Sequence, residues 1–373
     1  MENKIRHLLG ISGGKDSAAL AIYMRDKYPQ IEMEYYCCDT GKELDETYQL
    51  IDNLNSYLGK SIKQIIAKDA IGSDQDPFDH FFKMYRGYLP SSVARWCTKK
   101  MKLEPFENFV GNDLCVSYVG IRGDEEREGY ISKKDNIQSI FPFRKNIWSL
   151  DVLQKTFSKK GITILKEFYA KQTNGNLLDK YISLIDYPIE TGEDLKFATH
   201  ELLNKDTPLF NHAVFALLKH FEVPLAFEDD FPLLDNEEMI VRKDVFRILK
   251  DSGVGVPAYY NKVKYKIGEE EGAYARSRSG CYFCFFQQKI EWIWLYEQHP
   301  DLFAKACTYE NDKEGFTWNQ HESLHDLIQP NRMKVIKTEF LKKEQKRKEA
   351  AKSPFLIDIL DDGEDLGCTA CFV

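Results

Sequence analysis

Apolar-rich runs recur along the N-terminal third of the chain. Ile5–Ile11, Ile31–Cys38, Ser61–Ala67 and Leu114–Ile121 predict buried strands. Between them, Ser17–Lys27 and Leu44–Leu58 carry apolar residues at helical spacing. Strands alternating with helices in this order predict a doubly wound, mostly parallel α/β sheet. The aromatic stretch Phe78–Tyr88 reads as irregular. Beyond it the pattern thins, although Phe141-Pro142, Asp151-Val152 and Gly161-Ile162 are echoed by Phe231-Pro232, Asp244-Val245 and Gly253-Val254, each copy reading as a short helix that ends at glycine. Further on, Gln287–Glu297 reads as a Trp-rich helix. Lys334–Lys352, with interleaved glutamates, reads as a solvated helix stabilised by i,i+4 pairs, or else as a stripe for a nucleic-acid backbone.

The turn joining the first strand to the first helix is Ser12-Gly13-Gly14-Lys15-Asp16-Ser17. Glycines at Gly13 and Gly14 let the backbone approach an anion, and the helix that follows directs unpaired N–H groups and its positive dipole end toward the same point. Ser12, Lys15 and Ser17 add hydroxyl and ammonium donors. The spacing matches neither a Walker A loop nor a dinucleotide fingerprint. In an open α/β sheet, functional groups gather at the carboxyl ends of strands, which puts Asp39, at the end of the second strand, beside the same ligand.

With 373 residues there is length for two domains, or for one domain with a large insertion. A net charge of −8 argues against a surface coated in basic groups, while leaving room for a local groove. No run has the length of a membrane span, and the first strand begins too early to leave room for a signal peptide, so the expected location is cytoplasmic. The nine cysteines are then better suited to metal or redox chemistry than to structural disulfides. Cys37, Cys38 and Cys115 fall inside predicted strands and read as core. Cys281 and Cys284 form a CxxC preceded by Gly280 and by Arg276 and Arg278, a spacing that lets both thiolates reach one centre. A second pair, Cys368 and Cys371, follows the acidic stretch Asp358–Asp365; on a movable tail it would accept sulfur as a persulfide, resolve a disulfide, complete a metal site, or be inert.

Ser12–Ser17 resembles the SGGxDS loop of the PP-loop ATP pyrophosphatases, an adenine nucleotide alpha hydrolase-like superfamily. The resemblance extends to its phosphoadenosine phosphosulfate (PAPS) reductase branch. Asp39, Thr40, Gly41, Glu46 and Thr47 resemble that branch's DTG-x(4)-ET segment, and Arg95, Trp96, Cys97, Lys99 and Lys102 its RWCTxxLKxxP motif. Gly120, Arg122, Asp124 and Glu125 resemble GIRxDES, except that Glu126 replaces the serine and Arg127 comes early. Outside residues 146–235 the overall pattern is similar to that of the DndC-like sulfurtransferases of DNA phosphorothioation. On this resemblance residues 1–145 form the nucleotide-binding domain, 146–235 a mainly helical insertion, 236–330 a cysteine-containing cluster region, and 331–373 a basic helix and acidic tail.

The resemblance implies ATP bound with Mg²⁺, its phosphates on Ser12, Gly13, Gly14, Lys15, Asp16 and Ser17 and its adenine near Asp39 and Gly120, with Thr40, Gly41 and Arg122 also binding the cofactor. Lys15, Asp16, Asp39 and Arg122 take the catalytic roles. It implies a 4Fe–4S cluster on Cys97, Cys281, Cys284 and Cys307, with zinc as the alternative, and Cys368 and Cys371 as a redox or sulfur-carrying pair. The activity expected is adenylylation of an acceptor with release of pyrophosphate, followed by sulfur transfer. The partners expected are a nucleic acid and a cysteine desulfurase or other sulfur donor. A sulfonucleotide reductase is the first rival, although the ECGxH tail of those enzymes is missing; a non-catalytic nucleotide sensor is the second.

Overall fold

The computed structural model describes residues 4–278, 280–311, 314–319 and 322–350. Its centre is a five-stranded sheet: β1 (Arg6–Gly10), β2 (Met33–Cys38), β3 (Ile62–Ile65), β4 (Cys115–Tyr118) and β5 (Ile137–Ile140), in spatial order β3-β2-β1-β4-β5. Every neighbouring pair is parallel; Leu9 of β1 lies beside Tyr35 of β2 on one side and Tyr118 of β4 on the other. Leu8 and Leu9 are both fully buried, on opposite faces, because parallel strands are covered on both sides.

One face is covered by α1 (Lys15–Lys27), which follows β1 directly, and by α2 (Asp45–Leu58), which leads from β2 to β3. Leu8 on the other face packs with Tyr36, Phe106 and Val110. After β3 come α3 (Pro77–Met84), the single turn α4 (Trp96–Thr98), a π-helical turn at Lys99–Leu103, and α5 (Glu104–Val110), which carries Phe106. Thus Phe78–Met84 is helical, not irregular: Asp76 caps it by accepting from the Asp79 N–H, with Pro77 in the first turn.

β5 is a strand that the apolar pattern omits. Its sequence is Ile-Gln-Ser-Ile, and the polar residues are buried on partners, Gln138 Oε1 accepting from the Leu225 N–H and Ser139 donating to Tyr130 O. Five helices follow, α6 (Leu150–Thr156), α7 (Lys159–Gln172), α8 (Gly175–Ile185), α9 (Gly192–Lys205) and α10 (Thr207–Leu218). Their apolar faces join the core that contains Leu9 and α1. Gly161 does not end a helix: it lies in the first turn of α7, where a Cβ would come 2.3 Å from the carbonyl of Lys155. In the second copy, α11 (Arg242–Asp251) does stop just before Gly253, and α11 packs along α1.

The remaining elements form a second aromatic core. β6 (Val263–Ile267) and β7 (Glu270–Tyr274) pair as an antiparallel hairpin. α12 (Lys289–Gln298), α13 (Pro300–Cys307), α14 (Leu324–Leu327) and α15 (Pro330–Ala350) complete it. α15 is not a solvated helix along its whole circumference. Ile336 and Leu341 are buried, Tyr265 donates to Lys337 O, and its ion pairs Lys337–Glu297 and Lys262–Glu344 reach other elements. Among the described residues no helix is long and apolar enough to cross a membrane.

Candidate functional site

The Ser12–Ser17 loop occupies the place where the sheet reverses direction. The chain leaves β1 toward β2 on one side while β4 lies on the other, so the carboxyl ends of β1 and β4 open a crevice between them. Gly13 has φ +74°, and a Cβ there would lie 2.2 Å from Thr47 Cγ2. Gly120, at the end of β4, leaves so little space that a Cβ would meet the Asp16 carbonyl oxygen at 3.0 Å. The α1 N-cap, Gly14, supplies no side-chain cap. The Ser12 and Ser17 hydroxyls lie 3.1 Å apart, and Ser17 also donates to Gly14 O at 3.2 Å. Two hydroxyls and a helix N-terminus thereby converge on one spot, a favourable arrangement for a phosphate.

Behind the loop is a buried charge network. Asp16 pairs with Lys15 (3.3 Å) and with Arg122 (3.0 Å), and Arg122 pairs also with Asp124 (2.9 Å) and Glu125 (3.2 Å). Burial alone would raise the Asp16 carboxyl; the two cations outweigh it and hold the group below the usual carboxylate range. Arg127 pairs with Glu125 at 2.9 Å, so its early position in the motif still delivers it to the network. Arg144, a residue outside all of the motifs, clamps the same segment by donating to the Arg122, Glu125 and Arg127 carbonyls.

At the end of β2, Asp39 makes its hydrogen bonds locally, with the Gly41 N–H (2.8 Å), the Tyr48 hydroxyl (3.1 Å) and Gln64. Thr40 is fully buried and donates to Glu43 at 2.6 Å. Burial, together with the Asp39 charge, raises the Glu43 carboxyl. Glu43 falls inside the DTG segment, but its role as the partner of Thr40 has no sequence signal.

The CxxC turn docks onto this loop. The Tyr282 N–H donates to Lys42 O at 2.8 Å, and Cys281 Sγ lies 3.1 Å from Thr40 Oγ1. Burial pushes the Cys281 thiol up, with Glu43 adding to it and Lys102 opposing. Of the basic cluster Lys99, Lys100 and Lys102, the last therefore acts on the thiol, whereas Lys100 pairs with Glu104. Cys97, Cys281 and Cys307 pack against the same aromatic core, and Cys284 closes the turn, its N–H donating to Cys281 O. Among the described residues no group of three or more His, Cys, Asp or Glu side chains is placed to hold a metal ion. Cys38 is only part-buried, its thiol donating to Lys102 O, whereas Cys37 and Cys115 are core. Cys368 and Cys371 lie outside the described residues.

Sequence motifs do not reveal what covers the loop. Tyr259 donates from its hydroxyl to Gly13 O at 2.9 Å, and the Lys15 N–H donates to the Tyr260 hydroxyl at 3.3 Å. Lys15 Nζ donates to Ser277 O at 3.4 Å, and Glu291 of α12 fixes Ser277 by accepting from its N–H and hydroxyl. Tyr259, Tyr260 and Ser277 lie 245 to 262 positions from the loop residues they hold.

A five-stranded parallel sheet with this loop at its reversal point, flanked by helices, is the PP-loop type of α/β fold. Residues 6–145 match the family model described as the phosphoadenosine phosphosulfate reductase domain, which places this segment in the PP-loop superfamily and implies nucleotide-binding, sulfur-related chemistry. The chain is also similar to "Uncharacterized protein MJ0066" of Methanocaldococcus jannaschii, with 27% identity over 157 residues. That match covers 38% of this chain and 30% of the archaeal protein. No solved structure gives a significant match.

Proposed function

We propose that the chain is an ATP-dependent sulfurtransferase that binds ATP with its phosphates on Ser12–Ser17 and activates an acceptor by adenylylation. The observation that carries this reading is the convergence of the Ser12 and Ser17 hydroxyls, 3.1 Å apart, on an α1 N-terminus without a side-chain cap. An acceptor oxygen attacks the α-phosphorus, the bond to the β-phosphate oxygen breaks, and pyrophosphate leaves. A sulfur nucleophile then displaces AMP from the acceptor. Lys15 holds positive charge against the loop, and the Arg122 network fixes Asp16 and with it the first turn of α1. Mg²⁺, when bound, would neutralise charge building on the leaving pyrophosphate.

A nucleic acid is the proposed acceptor, as in DNA phosphorothioation. Support comes from a groove of about 600 Å³ between the CxxC turn and α15, lined by Phe285, Phe286, Phe340, Lys343, Lys346 and Arg347. Aromatic faces for bases beside cations for phosphates suit a single strand. The 4Fe–4S cluster on Cys97, Cys281, Cys284 and Cys307, or zinc in its place, stays a proposal resting on the resemblance. Iron, zinc and acid-labile sulfide analysis of protein purified without oxygen tests it. A cysteine desulfurase as sulfur donor, and Cys368 and Cys371 as carriers, are proposed on the same resemblance.

The deciding experiment measures pyrophosphate release from ATP with single-stranded DNA or tRNA present. Release that needs both acceptor and Ser17 supports adenylylation. The domain match also favours a second reading, reduction of a sulfonucleotide. Sulfonucleotide turnover with no ATP consumed would replace the first reading by that one.

A further inference from the structure

We infer that Arg276 is an oxyanion ligand of the nucleotide site, supplied by the segment that covers the PP-loop; this rests on the nucleotide reading above. Arg276 lies outside the matched domain, and its side chain is 2% exposed. One nitrogen, NH2, donates to Cys281 O at 3.1 Å, while Nε and NH1 have no hydrogen-bond partner. Among the described residues Arg276 is in no ion pair; nearby Glu291 spends its oxygens on Ser277 and on the Gln288 N–H. Its guanidinium carbon lies 5.9 Å from the ring centre of Tyr259 and 6.0 Å from that of Trp294. Those two contacts attract a cation but use none of its N–H groups.

A buried guanidinium with two unpartnered donor atoms is costly, and a tetrahedral oxyanion is the group that satisfies a fork of donors at one stroke. The position fits. The Tyr259 ring beneath Arg276 carries the hydroxyl that holds Gly13 O, and the next residue, Ser277, holds Lys15 Nζ. On its other side Arg276 holds Cys281 O, and the Cys281 thiol touches Thr40. Arg276 thus stands between the phosphate loop and the first cysteine of CxxC. Gln287, at the far end of the same turn, is also buried with both amide atoms unpartnered. The shared chemistry of the ligand is a phosphoryl or sulfonyl oxyanion carried on a nucleotide.

The test is thermal melting of the full chain, titrated separately with pyrophosphate, ATP and sulfate against sodium chloride of equal ionic strength. The wild type is expected to be stabilised beyond the chloride control. Arg276→Met is expected to weaken that response about tenfold or more, the scale of a charge-assisted hydrogen bond. Its melting temperature without anion is expected to hold or rise, because an uncompensated buried charge has gone. Arg276→Lys, which keeps the charge and loses the fork, is expected to fold and to be intermediate. Dependence on Arg276 in the pyrophosphate and ATP arms assigns it to the phosphates; dependence in the sulfate arm alone assigns it to a sulfonyl group. The inference is overturned if both variants respond to anions as the wild type does, or if Arg276→Met only melts lower with an unchanged response, which would make Arg276 structural. A response lost in Ser17→Ala but kept in both Arg276 variants sinks the inference and leaves the PP-loop reading standing. No response in the wild type removes both.

Discussion

Buried charge in the PP-loop network is paired close to where it arises. Asp16 has Lys15 and Arg122; Arg122 has Asp124 and Glu125; Glu125 has Arg127. In the segment that covers the loop, two guanidinium nitrogens of Arg276, both amide atoms of Gln287 and the indole nitrogens of Trp292 and Trp294 are buried without hydrogen-bond partners. The two regions touch through Tyr259, Tyr260 and Ser277, so the contrast lies within one site. A network whose charges are paired from within sets geometry before any ligand arrives, whereas a buried charge left without an ion pair is where an anionic ligand gains most.

The largest effects are expected where the closed network is opened. Asp16→Ala removes a carboxylate from between two buried cations and is expected to cost about 3–5 kcal/mol of stability, read from denaturant melts. Asp16 is therefore no clean test of catalysis, although it belongs to the motif. Its folded carboxyl is held low, so its contribution is present above the ordinary carboxylate pKa of 3.8 and is lost as pH falls through the lower folded value. Ser17→Ala leaves the network alone and is expected to lower acceptor-dependent pyrophosphate release about 10²–10³-fold, as loss of one positioned donor does, with melting near wild type. Release that stays within a few-fold would remove the hydroxyl pair from the mechanism.

Gly13→Ala comes next in size. It puts a side chain on a backbone with φ +74° and drives a Cβ to 2.2 Å from Thr47 Cγ2. Left-handed backbone costs about 1–2 kcal/mol and the clash about 1–3 kcal/mol. Adding Thr47→Ser removes Cγ2, so the double variant is expected to recover the clash part and not the backbone part. Additive losses in a double-mutant cycle would mean that the two residues do not meet.

How much of this could be read along the chain follows the same division. Leu8, Leu9, Tyr35 and Tyr36 are buried on both faces of a parallel sheet, so the apolar runs announce β1 and β2 directly, and the loop between β1 and α1 is contiguous in sequence. β5 escaped because Gln138 and Ser139 are buried on the strength of distant partners. The helix Pro77–Met84 escaped because aromatic density masked an Asp-Pro start. Tyr259, Tyr260 and the Arg276 contact could not be found at all: no local pattern marks a hydroxyl that will meet Gly13 through a fold 246 residues long. The CxxC was visible, but its thiol environment was not, since Thr40, Glu43 and Lys102 reach Cys281 from other segments.

That environment makes a prediction about reactivity. Burial pushes the Cys307 thiol up to about 11 and the Cys281 thiol further, so both are protonated at neutral pH and weak nucleophiles. Alkylation of native protein, followed by mass spectrometry, is expected to be slow at pH 7 and to rise about tenfold per pH unit for Cys307 until about 11. Fast labelling of Cys281 at neutral pH would show a thiolate there, and would favour sulfur chemistry at that residue over a packing role.

The smallest effect tests whether the covering region is held together independently of the loop. Glu322 accepts from Arg332 Nε at 2.8 Å and NH2 at 3.0 Å, and pairs with Lys289, so it ties the start of α12 to α15. The hydrogen bond from Arg332, helped by Lys289, draws its carboxyl down from 4.5 to about 2. A depressed carboxylate contributes stability that is full above 4.5 and is lost as pH falls toward about 2. Glu322→Gln keeps the shape and removes the charge, and is expected to cost about 1 kcal/mol at neutral pH, the scale of a surface pair. The gap to wild type is expected to close as melts are repeated below pH 4.5. A gap that persists unchanged in acid would make the contact one of packing. Because Glu322 touches α12 and α15 and not the PP-loop, pyrophosphate-induced stabilisation is expected to survive in this variant. Its loss would mean that the placement of Arg276 over the loop depends on how firmly α12 is anchored.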